Sequence, residues 1–172
     1  LMLLLAGAAV SDYRSHRIPN WLVLSGALFG VVYNTALSPS PHDNILFPLA
    51  GLGLGLLLFL PLYLIRAMGA GDVKLLAMAG AFLGPGETFH AALATMIVGG
   101  VLAILFVLVR GAGLRLFHNL ASLFQLGFLG ALAGSTPSLR ITAGASAGKL
   151  PYGVAIAIGT IGYLILHQLG FL

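Results

Sequence analysis

Apolar residues run in long blocks along this chain, and polar residues collect in short breaks between them. The blocks fall at 1–10, 21–37, 45–65, 73–83, 89–109 and 152–169, with a weaker one at 120–133. A helix crossing a hydrocarbon core about 30 Å thick needs about 20 such residues, so the pattern predicts an all-α, polytopic membrane protein with about six transmembrane helices. Two blocks are short. The first has ten apolar residues, about 15 Å of helix, and the chain is therefore expected to begin upstream of Leu1. The stretch Ala6-Gly7-Ala8 also resembles a signal-peptide cleavage site, but no basic region precedes it and apolar blocks continue to the end of the chain. The block opening at Val73 gives about 18 Å of helix, which spans a bilayer only if one end starts below the surface.

Composition sets the solvent. Of 172 residues, 59% are hydrophobic and 7% charged, and the mean hydropathy is +1.07; a soluble chain carries about 25% charged residues. The length is filled by spans and short loops, which predicts one membrane-embedded domain over 1–172. Cysteine is absent, which excludes a disulfide framework, a thiolate nucleophile and a Cys-based zinc site. The formal charge of +4 matters through its placement. If the first block runs outward to inward and 120–133 does not cross, Arg14, Arg17, Arg66, Lys74, Arg110, Arg115, Arg140 and Lys149 all fall on one side. Cytoplasmic loops carry the Lys/Arg excess, so that side is the cytoplasm. The opposite loops, read at 38–44 and 84–88, carry none. By the same logic 120–133, within a cytoplasmic or interfacial segment at 110–150, is a helix at the interface or packed on the bundle.

The four acidic residues are sorted by this topology. Asp43 and Glu87 belong to the outer loops, while Asp12 and Asp72 border the cytoplasmic face. A charge at membrane depth costs roughly 2.5 to 3.5 kcal/mol on insertion scales, so an acid there is a functional-site hypothesis by default. Two carboxylates sharing a site do not both ionise cheaply; one holds a proton as general acid while the other activates water as general base. Such a pair hydrolyses peptide bonds without a metal. Gly69 and Gly71 suit it, since glycine lets a substrate main chain come close. Pro19 fits the first turn of the second helix, where its missing N–H costs nothing. Asp72 is expected to be recessed in a wet, protein-lined cavity.

Asp12 followed by Arg17-Ile18-Pro19-Asn20, and later Gly69-Ala70-Gly71-Asp72-Val73-Lys74-Leu75, resemble the paired signatures of the type IV prepilin peptidases, membrane aspartic proteases of the GxGD class. Lys149-Leu150-Pro151-Tyr152-Gly153 is similar to a further stretch found there. The resemblance covers nearly the whole chain, in the same order. It implies a six-helix membrane fold, a catalytic pair at Asp12 and Asp72, and motif support or substrate binding by Gly69, Gly71, Pro19, Asn20 and Lys74. The implied reaction removes N-terminal leaders from type IV or Flp-like prepilin or pseudopilin precursors at the cytoplasmic face, just after a glycine. No cofactor, metal or nucleic acid is implied. Larger relatives add a cysteine-bearing cytoplasmic region and N-methylate the new terminus with S-adenosylmethionine; lacking both cysteine and such a region, this sequence resembles the short, peptidase-only form associated with Flp-type pili.

Simpler roles stand beside these. Asp72 alone suits a helix N-cap, and Asp12 alone suits a loop contact with Arg14 or Arg17. Lys74, two residues beyond Asp72, points elsewhere on a helix and is expected to snorkel to the headgroups. Arg14, His16, Arg17 and Arg66 read as topology anchors. His42, His90, His118 and His167 are dispersed in sequence, and Glu87 reads as a loop or first-turn acid. Gly51 and Gly55 read as a close helix-packing pair. The competing function is a small proton- or cation-coupled transporter or channel, against which stand the placement of both acids near one face and the lack of a repeat. A preflagellin or signal-peptide peptidase of the same GxGD class is the other alternative.

Overall fold

A computed structural model of the chain describes residues 1–15, 17–37, 44–65, 67–109 and 152–171. They form six α-helices and no strand: α1 (Met2–Ser15), α2 (Asn20–Val32), α3 (Leu46–Leu64), α4 (Ala70–Leu83), α5 (Pro85–Val109) and α6 (Tyr152–Gln168). A π-helical turn, Tyr33–Leu37, prolongs α2. Helices are what an apolar environment demands, because each satisfies its own backbone polar groups. Leu46–Leu64 and Pro85–Phe106 are long and apolar enough to cross a membrane; α6 is apolar but shorter. Residues Leu1–Val101 with Pro151–Leu172 form one compact unit, and Leu102–Leu150 a second, of which only the end of α5 is described. The expected interfacial helix at 120–133, the loop read at 38–44 except for Asn44, the anchors His16 and Arg66, and the basic residues Arg110, Arg115, Arg140 and Lys149 lie outside the described residues.

The first unit is built around one of its two short apolar blocks, 73–83. In α4, Val73, Leu75, Leu76, Ala77, Met78, Ala79, Gly80 and Ala81 are all buried, with α3 and α2 packed along it and α1 packed on α6. Large apolar side chains instead point outward on the surrounding helices, among them Leu24, Leu28, Leu57 and Ile97. Small residues allow this close packing. A Cβ on Gly51 would meet Gly84 Cα at 2.8 Å and Gly80 C at 2.9 Å, and one on Gly55 would meet Leu76 O at 2.8 Å. The pair therefore packs α3 on α4, as its spacing anticipates. Asn34, a buried polar residue with no signal in the apolar pattern, donates to the carbonyls of Ala81 (2.9 Å) and Phe82 (3.0 Å). These belong to the last turn of α4, whose carbonyls have no partner within their own helix.

Three boundaries differ from the block pattern, each for a local reason. Residues 84–88 are not a loop. Gly84, at φ +78°, turns the chain directly from α4 into α5, and Pro85 takes the first position of α5, where it has no N–H to leave unpaired. Glu87 is thus a first-turn acid. α1 continues past Val10 to Ser15, so Asp12 lies on a helix and not in a loop; Ser15 Oγ donates to Ser11 O at 2.8 Å within that last turn. Pro19 precedes α2 as its N-cap, with extended ψ of 128°, and Asn20 is the first helical residue. The proline's fixed φ suits either position, and only ψ distinguishes them.

Candidate active site

The end of α1, the start of α2, the start of α4 and the start of α6 supply the candidate residues. On α1, Leu5, Ala8 and Asp12 are buried at spacings of three and four, so they share one face. The acid is the polar end of an otherwise apolar stripe, and it is 6% exposed. Its Oδ2 accepts a hydrogen bond of 2.8 Å from the backbone N–H of Gly153, in the first turn of α6.

Asp72 is 8% exposed. Gly69 is extended at the N-cap, and the helix opens with Ala70 and Gly71, which puts the acid third in α4. Its Oδ2 accepts from the Gly69 N–H at 3.0 Å, while its own N–H donates to Gly69 O at 3.2 Å. The bond ties the carboxylate back to the loop, as in half of a capping box; glycine has no side chain to return the bond. A first-turn acid also suits the positive end of the helix dipole. Asp72 is thus not the N-cap, a position Gly69 takes, but the third helical residue, and its bond back to the Gly69 N–H fixes the carboxylate's direction.

The two carboxylates interact electrostatically across the α1–α4 contact. Glycine makes that approach possible. A Cβ on Gly71 would meet Ile18 Cβ at 3.3 Å, which presses the segment after α1 against the first turn of α4. That segment is closed by Ser11 Oγ, which donates to Arg17 O at 2.9 Å. Arg14 and Arg17 are exposed. Lys74 is exposed as well, and its Nζ donates to Asn20 Oδ1 at 3.3 Å, linking the start of α4 to the start of α2. Lys74 thus points away from Asp72, as its spacing requires, but toward Asn20. An apolar groove of about 440 Å³ between α2, α3 and α4 reaches Asn20 and Lys74 and is lined by neither acid.

A second polar cluster lies where α5 begins and α6 ends. Tyr163 OH donates to Glu87 Oε2, His167 Nε2 lies 3.9 Å from Glu87 Oε1, and the ring of His90 stacks on Tyr163 at 5.7 Å. Two histidines far apart in sequence therefore border the same tyrosine, because the start of α5 packs beside the end of α6. No group among the described residues has three side chains placed to hold a metal.

Asp12, Asp72, Gly69, Gly71, Pro19, Asn20 and Lys74, the candidates the sequence singles out, all lie in the described first unit. Gly153 is a functional candidate only in the structure, although it lies in the stretch Lys149-Leu150-Pro151-Tyr152-Gly153. A backbone donor leaves no side-chain signature, so only the fold reveals it. In comparison with known proteins, residues 1–104 match the family model described as "Type IV leader peptidase family". The matched region holds both acids and ends before α6. No curated protein and no solved structure matches the chain.

Proposed function

The chain belongs to the type IV leader peptidase family, and from that premise we propose that it is an aspartic endopeptidase in which Asp12 and Asp72 share the chemistry. It is a membrane protein and a peptidase by that membership, and prepilins are the substrates the family implies. The observation that supports the aspartic reading best is the pair itself: two buried carboxylates on different, touching helices, near enough for their charges to act on each other and each anchored by a backbone N–H.

Like charges so placed favour a single shared proton. The ionised acid takes a proton from water as the oxygen attacks the scissile carbonyl carbon, and the protonated acid hydrogen-bonds the carbonyl oxygen. Breaking the C–N bond then moves a proton to the leaving amine, and the pair returns to one proton. Burial strengthens each interaction with the developing charge. The glycines of the loop admit a substrate main chain beside Asp72. The substrate class that fits is a type IV or Flp-like prepilin whose leader is cut at the cytoplasmic face by a six-span enzyme. The one-sided placement of the basic residues supports that orientation.

Asn retains the size and hydrogen bonding of Asp but holds no exchangeable acid proton. Asp12→Asn and Asp72→Asn are each expected to yield inserted protein that no longer cuts a prepilin, while Glu87→Gln and Asp43→Asn cut normally. Chelators are expected to leave the rate unchanged. Normal cleavage by either dyad variant, with host protease excluded, refutes the aspartic mechanism; loss of activity in EDTA that a metal restores favours a metal-dependent one.

A further inference from the structure

Asp72 and Asp12 are oriented by different means. Asp72 is held from within its own first turn by the Gly69 N–H, three residues away. Asp12 is held from 141 positions away, by the Gly153 N–H. The contact is tight: a Cβ added to Gly153 would meet Asp12 Oδ2 at 2.8 Å and its Cβ and Cγ at 3.0 Å. Gly153 therefore contributes both a donor and an absence of side chain, at a buried acid. It also lies beyond the matched residues 1–104.

We propose that Gly153 is a positioning residue for the peptidase reaction: the first turn of α6 fixes the Asp12 carboxylate against the Asp72 carboxylate through the Gly153 N–H and the space its missing side chain leaves. This rests on the dyad reading above. A local bond moves with its own helix, so Asp72 keeps its orientation whatever α6 does. Asp12 does not, and a shift of α6 along α1 changes the distance between the two acids. A misplacement of about 1 Å at reacting groups costs about 100-fold in rate. The N-terminal end of α6 also presents the positive end of its dipole to the carboxylate, which suits the member of the pair that carries the charge.

The test compares three variants with the parent enzyme, purified in detergent and cutting a prepilin peptide. Gly153→Ala keeps the N–H and adds the Cβ. Glycolate incorporated at position 153 turns the Tyr152–Gly153 amide into an ester, which replaces the N–H donor by an oxygen and adds no side chain. Gly162→Ala lies on the same helix with no atom within 4 Å of the added Cβ. The first two are expected to lower kcat by about 10- to 100-fold at nearly constant KM, and to move the pH–rate profile by about half a unit or more, in folded enzyme. Gly162→Ala is expected to match the parent. Asp12→Asn is run alongside: if it cleaves normally, the dyad reading itself is wrong. If Asp12→Asn is dead while folded Gly153→Ala or the ester retains the parental kcat and pH profile, only the positioning role is overturned. A fall in rate that tracks loss of folded enzyme, with an unmoved pH profile, also overturns it.

Discussion

Replacing Gly51 by alanine isolates the contact that seats α4 against α3. The new Cβ would lie 2.8 Å from Gly84 Cα and 2.9 Å from Gly80 C, and closer still to Gly80 O. These are backbone atoms on a buried helix, so no rotamer change relieves the overlap and the helices must separate. Ordinary carbon contacts sit at about 3.5 to 4 Å, so the required movement is about 1 Å. Overpacking of this kind costs about 1–3 kcal/mol. Gly53, on the same helix, has nothing within 4 Å of an added Cβ. Both substitutions share the gain in helix propensity of about 1 kcal/mol, so their difference reports the contact alone. Steric trapping in detergent measures that difference directly, and Gly51→Ala is expected to be less stable than Gly53→Ala by about 1–3 kcal/mol. Its kcat per folded molecule should stay within about threefold of the parent, because the overlap is at the end of α4 remote from Asp72. Equal stability of the two variants refutes the close-packing argument, and a selective collapse of kcat refutes the separation of packing from chemistry.

Three further outcomes are expected. Asn34→Leu leaves the carbonyls of Ala81 and Phe82 without their side-chain donor, and the same trapping assay should show a loss of about 1–3 kcal/mol. In the cysteine-free chain, Asp12→Cys with Asp72→Cys should be bridged efficiently by a short bifunctional thiol reagent, and Asp12→Cys with Glu87→Cys should not; the reverse result removes the dyad. Topology tags at 38–44 and the C-terminus should report outside, and tags near Arg14 and Arg115 the cytoplasm. An outside location for Arg14 ends the proposed orientation.

Much of this protein is legible from sequence alone, because in an apolar solvent the solvent itself selects the secondary structure. A block that cannot hydrogen-bond to its surroundings must be helical, and the blocks at 21–37, 45–65 and 152–169 map closely onto α2 with its π-helical turn, α3 and α6. The same economy makes acids conspicuous. With four in the chain, Asp12 and Asp72 stand out through the cost of burying them, and their flanking residues carry the family resemblance that the match over 1–104 supports.

Tertiary structure decided what apolar periodicity does not encode. Block edges mark where hydrophobicity ends, not where helical hydrogen bonding ends, so Asp12 proves to lie on α1 and residues 84–88 to be no loop. Uniformly apolar blocks also lack a face that announces its partner, and it is the glycines that decide which helices meet. Gly51 and Gly55 bring α3 onto α4, and Gly71 brings Ile18 onto the first turn of α4. The most consequential case is the bond from Gly153 to Asp12. Every residue except proline has a backbone N–H, so a sequence says nothing about which one an aspartate will find; packing α6 against α1 makes that choice.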